Sequence, residues 1–246
     1  MRHRRTFLAV CFLVLGLSHC MAAEYPIHQW NKWQENAADR YPRRTWMIYE
    51  TPQEAGWSAE KLDKAREYFE TLDAAALMVV QGGAVLAAWG DIERRFPCHS
   101  VRKSLLNSLY GVHVAGGNID LQKTLAEMGI DDEPPLSVAE KSARVIDLLR
   151  SRSGVYHPAA YETASMREAR PARDSRQPGE IFWYNNWDFN TLCSIFEIQT
   201  GTKFFEEFQK RLAVPLQMED FRLQDTYYHL EAEHSIHSAY PFRLSA

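Results

Sequence analysis

The chain has 246 residues, 46% of them apolar and 24% charged, a globular composition long enough for one large domain or two small ones. Its formal net charge is −4, and no basic stripe is interleaved with aromatics, so nothing in it favours a nucleic-acid or anionic-membrane partner.

The N-terminus reads as a targeting segment over residues 1–23. Arg2, His3, Arg4 and Arg5 precede an apolar run from Phe7 to Leu17, and small residues follow at Ala22 and Ala23. The run is too short to span a bilayer, which implies a cleaved signal and a secreted or periplasmic protein. An uncleaved anchor is the alternative, and with lipidation it is the only route to a membrane. Leu17-Ser18-His19-Cys20 invites a lipoprotein reading, but His19 is not the small residue such signals place before the cysteine. With Cys11 and Cys20 in this segment, Cys98 and Cys193 remain. They can pair in an oxidising compartment or stay as buried free thiols, and the apolar neighbours of Cys193 favour the second.

Residues 24–56 are rich in Trp, Tyr, Pro and Arg without periodicity and read as an extended arm, pinned by Trp30, Trp33, Trp46 and Trp57. Residues 57–246 then form the body, with a sheet part over 57–99 and a mostly helical part over 100–246. Ser58 caps a helix to Leu72, with Leu62, Ala65, Tyr68 and Phe69 at spacings of three and four. Ala75–Val80 and Ala84–Trp89 are short strands joined by a turn at Gln81-Gly82-Gly83. Helices are expected over Ser100–Ala115, Leu121–Met128, Val138–Leu149, Phe189–Gln199 and Phe204–Leu212. Between them Val155–Ile181 reads as a long loop, whose arginines at 167, 170, 173 and 176 look like a solvated face. The last residues, Tyr240 to Ala246, show no terminating element.

The chemistry concentrates in two places. Ser100 stands at a helix start with Lys103 one turn on, on the same face, within hydrogen-bonding reach. A lysine whose ammonium form is disfavoured by burial or by a second cation can accept a serine proton; a plain capped helix is the alternative. Arg102 is expected on a different face and without a role. The second place is Pro178-Gly179-Glu180-Ile181-Phe182-Trp183-Tyr184-Asn185-Asn186, where a turn-rich loop hands over to a helix. Tyr184 and Asn186 can point into a cleft, or Asn186 can merely cap the helix while Tyr184 packs its ring.

Taken together, S-x-x-K followed by P-G-x-x-F-x-Y-x-N resembles the serine hydrolases of the beta-lactamase and penicillin-binding-protein superfamily. The Tyr-x-Asn form is similar to the branch of class C beta-lactamases, DD-carboxypeptidases, related esterases and 6-aminohexanoate-dimer hydrolases. Asp147 to Val155 looks like that branch's L-L-x-x-x-S-G segment, and Leu192 to Met218 agrees with it too. The resemblance implies an α+β fold of the beta-lactamase/transpeptidase type, an antiparallel sheet flanked by helices plus a helical domain. It also implies an acyl-enzyme on Ser100, Lys103 as base, Tyr184 relaying protons and Asn186 holding Lys103 and substrate. The substrate is then a small amide or ester, with no cofactor.

One part of the pattern is missing. No Lys-Thr-Gly or His-x-Gly follows Asn186, so the sequence reads as the front part of a longer protein, with the C-terminal strands and helix missing. His229, Glu231, Glu233 and His234 lack the spacing of a zinc site, and no metal is expected.

Overall fold

The structure is a computed structural model that describes Pro42 and residues 45–246 except Ala232. The targeting segment, Trp30 and Trp33 lie outside the described residues.

The hairpin forms where the sequence puts it, from β2 (Ala76–Gln81) and β3 (Ala84–Gly90). Gly82 and Gly83 both take positive φ, the conformation a two-residue hairpin turn demands. Leu86 is the extra residue of a bulge, since Val80 pairs with Val85 and Val79 with Ala87. Met47–Ile48, read as part of the arm, instead forms a strand, β1, parallel to β3. The sheet is therefore mixed, in the order β1-β3-β2. Gln81 holds the incoming chain in place: it accepts from Trp57 Nε1 at 2.5 Å and donates to the Ala55 carbonyl at 2.8 Å. Helix α1 (Ala59–Glu70) follows, capped by Ser58 as its sequence predicts.

Beyond β3, β4 (Phe96–Pro97) pairs antiparallel with β5 (Arg243–Leu244). The end of the chain therefore does carry an element, contrary to expectation. A two-residue ladder is too short to show alternation in sequence. Cys98 extends the pairing by donating to the Phe242 carbonyl at 3.0 Å.

The helical body is built on α2 (Arg102–Ala115) and α6 (Asn186–Thr200), with α7 (Phe204–Phe208) beside them. Leu106, Leu109 and Tyr110 of α2 meet Leu192, Ile195 and Phe196 of α6 in one core, which Phe204, Phe208, Tyr240 and Phe242 complete. Tyr110 donates its hydroxyl to the Leu192 carbonyl at 2.6 Å, so the one polar atom of that buried ring is satisfied.

Two helix expectations and one loop expectation are corrected. Leu121–Met128 is turns, because Thr124 turns back to Glu127, whose carboxylate takes both the backbone N–H and the hydroxyl of Thr124. Val138–Leu149 is two pieces, α3 (Val138–Lys141) and α4 (Val145–Leu149). Arg144 is extended between them, its N–H bonded to Asp147, while the Ala143 carbonyl goes to Leu125. The long loop contains a short helix, α5 (Ala164–Glu168). Its arginines are largely exposed, as expected, with Arg170 half-buried, and three of them are ion-paired: Arg170 with Glu162, Arg173 with Glu140 and Arg176 with Glu180. Cys98 and Cys193 are free thiols, the second buried. No described helix is long and apolar enough to cross a membrane.

Candidate active site

The apolar stripe of α2 determines where the cations go. Counting back from Tyr110 and Leu106 at helical spacing leads to Lys103 and Arg102, so the register that buries the core also turns both head groups inward. Lys103 is 7% exposed and Arg102 3%. Ser100 lies just before α2 in a single 3-10 turn (His99–Val101) and is exposed. His99 ahead of it has φ of 40°, a left-handed conformation that costs a non-glycine residue energy and here presents the hydroxyl.

Tyr184 and Asn186 arrive from the other side. Asn185, not Asn186, caps α6: its Oδ1 accepts the Asp188 N–H at 2.7 Å, leaving Asn186 in the first turn facing α2. All four sequence-predicted residues then meet. Lys103 Nζ donates to Asn186 Oδ1 at 2.9 Å and lies 3.2 Å from Ser100 Oγ. Tyr184 donates its hydroxyl to Ser100 Oγ at 2.7 Å. The Asn186 amide is fixed in turn, giving hydrogens to the carbonyls of Tyr161 at 2.8 Å and Ala160 at 3.3 Å. Lys103 Nζ also sits over the rings of Tyr184 at 4.9 Å and Phe189 at 5.2 Å.

Burial, and then the neighbouring Arg102, pull Lys103 down from its ordinary value to about 7. Near neutrality a large share of Lys103 is therefore a free amine, hydrogen-bonded to a serine hydroxyl. That is a hydroxyl, a proton acceptor and a second proton carrier within one hydrogen-bonded group, the set that nucleophilic catalysis requires.

The segment from Ser151 to Gly154 secures the loop that delivers Tyr184. The Trp183 N–H bonds to the Ser151 carbonyl at 2.7 Å, and Gly179 N–H to the Arg152 carbonyl at 2.7 Å. Ser153 Oγ donates to Asp188 Oδ1 at 2.5 Å. Asp188 is fully buried, and that burial pushes its carboxyl up to about 8. Gly154 has φ of 73°, and a Cβ there would lie 2.9 Å from the Arg176 carbonyl oxygen.

Further back, His157 bridges two acids, with Nδ1 at 3.3 Å from Asp132 and Nε2 at 3.3 Å from Glu140. Burial opposes the imidazolium, but the two carboxylates outweigh it and raise His157 to about 9. Burial likewise opposes ionisation of Glu140, which His157 and Arg173 nevertheless hold at about 2. Asp132 accepts from Trp187 Nε1 at 2.6 Å and from Ser235 Oγ at 2.9 Å, so the network joins α6 to the C-terminal segment.

Sequence reasoning missed Arg102 and Asn190. Arg102 donates to Asn190 Oδ1 at 3.0 Å and stacks over the Tyr240 ring at 4.3 Å. The available signal was helical spacing, since Asn190 is one turn beyond Asn186 and Arg102 one turn before Leu106.

Comparison with known proteins places the chain by family and fold. A family model described as beta-lactamase matches residues 63–241. FmtA from Staphylococcus aureus superposes with a TM-score of 0.53 at 14% identity, over 83% of this chain and 67% of that one. An octameric penicillin-binding protein homologue from Pyrococcus abyssi gives 0.51 at 16% identity, over 75% and 53%. A Bacillus anthracis protein provisionally described as a 6-aminohexanoate-dimer hydrolase gives 0.54 at 18% identity, over 72% and 53%. The chain spans about half the length of the solved structures it matches. No curated protein sequence matches it.

Proposed function

Because the chain belongs to the beta-lactamase family, we propose that it is an exported serine hydrolase of the class C-like branch, taking a small amide or ester through an acyl-enzyme on Ser100. One observation carries this reading: Ser100 Oγ is hydrogen-bonded at once to Lys103 Nζ and to the Tyr184 hydroxyl. In acylation, neutral Lys103 takes the Oγ proton as Oγ bonds to the substrate carbonyl carbon. The carbonyl's bond to the leaving group then breaks as Tyr184 gives that group its proton, and Lys103 passes the proton it took from Oγ to Tyr184. Asn186 holds the amine in line throughout. In deacylation Tyr184 passes its proton to neutral Lys103 and draws one from the attacking water, and Lys103 returns its proton to Ser100 Oγ as the acyl bond breaks. Export rests on the N-terminal sequence alone.

A second reading is a binding relic of the same fold without turnover. Incubation with a fluorophosphonate and a fluorescent beta-lactam, followed by peptide mapping, separates the two. Beta-lactam label on Ser100 that is released with time supports hydrolysis, whereas a Ser100 labelled by neither probe leaves the relic.

A further inference from the structure

Arg102 poses an energetic problem that the site as described does not resolve. It is 3% exposed, yet among the described residues no carboxylate pairs with it, and its Nη1 is buried without a hydrogen-bond partner. A buried guanidinium normally has a counter-ion, because removing an unpaired charge from water costs several kcal/mol. The polar groups around Arg102 are neutral ones. Asn190 accepts from Nη2 at 3.0 Å, and the ring of Tyr240 lies 4.3 Å away.

The seat is built in parallel with that of Lys103. Asn186 and Asn190 stand one turn apart on α6 and face consecutive cations of α2, one amide per cation. Both amides donate to the same Ala160 carbonyl, at 3.3 and 3.4 Å. Neither cation can swing into solvent without breaking that arrangement.

We infer that Arg102, held by Asn190 and Tyr240, is a positioning residue for Lys103, its fixed charge in a carboxylate-free seat keeping the adjacent amine in its neutral, proton-accepting form. The purpose of this device rests on the acyl-enzyme reading, while its measurement does not. The groups packed around the two cations leave the effect uncancelled. Ser100, Tyr184, Asn186 and Phe189 surround Lys103, and Arg102 is the one charge acting on it besides burial. Around Arg102, burial raises the Tyr240 phenol and the Cys193 thiol well above their ordinary values, and Tyr161 stands at about 12. All three are therefore uncharged at neutral pH.

The test follows the side-chain nitrogens of isotopically labelled lysine by NMR across the neutral and alkaline range, in the full chain. Lys103 is assigned by the loss of its signal in Lys103→Arg. Its midpoint in the parent is expected near 7. Arg102→Met keeps the stem's packing over Tyr240 but removes the charge, and should raise the midpoint by about one pH unit or more. Arg102→Lys keeps the charge and should retain most of the depression. Asn190→Ala, which unseats the guanidinium while leaving Lys103 and Asn186 untouched, should raise the midpoint by less than Arg102→Met. A folded Arg102→Met with an unmoved midpoint overturns the inference, as does an Arg102→Lys midpoint as high as that of Arg102→Met. If Arg102→Met does not fold, Asn190→Ala decides by the same criterion. Failure of the parent to label with a beta-lactam removes the acyl-enzyme reading and leaves this measurement intact.

Discussion

Tyr184 donates its hydroxyl to Ser100 Oγ across 2.7 Å, joining residues 84 positions apart. The ring has separate contacts: it is tilted against Phe189 at 6.1 Å and receives Lys103 Nζ at 4.9 Å. Tyr184→Phe preserves these and removes the hydroxyl. The rate of Ser100 labelling should fall by about 100-fold, the scale of a lost acid–base group. The melting temperature should hold. A rate that holds while the melt shifts would make Tyr184 a packing residue.

Gly154→Ala should loosen the same loop from behind. With φ of 73° and a Cβ 2.9 Å from the Arg176 carbonyl oxygen, the substitution forces the 176–178 backbone away. A loss of about 1–3 kcal/mol in a urea melt is expected, together with slower labelling, because that backbone leads to Tyr184. An unchanged melt would show that the close approach is not enforced.

His157 gives the fold a pH signature. Its value rises from an ordinary 6.5 to about 9 in the folded chain, so its contribution is complete below 6.5 and disappears as pH climbs through 9. His157→Gln leaves Asp132 and Glu140 facing each other's network without the cation. It should cost on the order of 3 kcal/mol below pH 6.5. Urea midpoints of parent and variant should converge above pH 9; a gap constant with pH would mean that the imidazole acts by packing alone.

Asp188 works in the same direction by another route. Burial lifts its carboxyl from 3.8 to about 8. Between those values the unfolded chain releases a proton that the folded chain keeps, so stability drains away as pH rises. Asp188→Asn has no proton to lose. Its stability relative to the parent should increase steadily from pH 3.8 to 8, read from urea midpoints at each pH. A parent and variant that run parallel would show that Asp188 is ionised in the fold.

The site was legible wherever local chemistry leaves a mark. Ser58 before an apolar stripe, Gly82-Gly83 between two apolar runs and the spacing of Ser100 and Lys103 each specify their neighbours' geometry. What failed was decided at a distance. Leu125 and Ile130 bury themselves from turns, because Thr124 and Arg144 bridge two segments and override the helical pattern around them. Met47–Ile48 and Arg243–Leu244 are strands only because β3 and β4 offer edges to them. Arg102 was misread for a related reason: Asn190 and Tyr240, which hold it, are far away in sequence.

That separation sets an order of assembly. Ser100 and Lys103 come from one turn of chain, whereas Asn186 reaches Lys103 across 83 residues. A helix such as α2 forms in roughly a microsecond, but contacts of that span wait for the rest of the chain to collapse and dock. During refolding the hydroxyl and the amine are therefore neighbours in water, with the lysine still charged, long before α6 seals them in. On the proposed reading Ser100 becomes reactive only once α6 has docked on α2, so the onset of Ser100 labelling during refolding should report that contact.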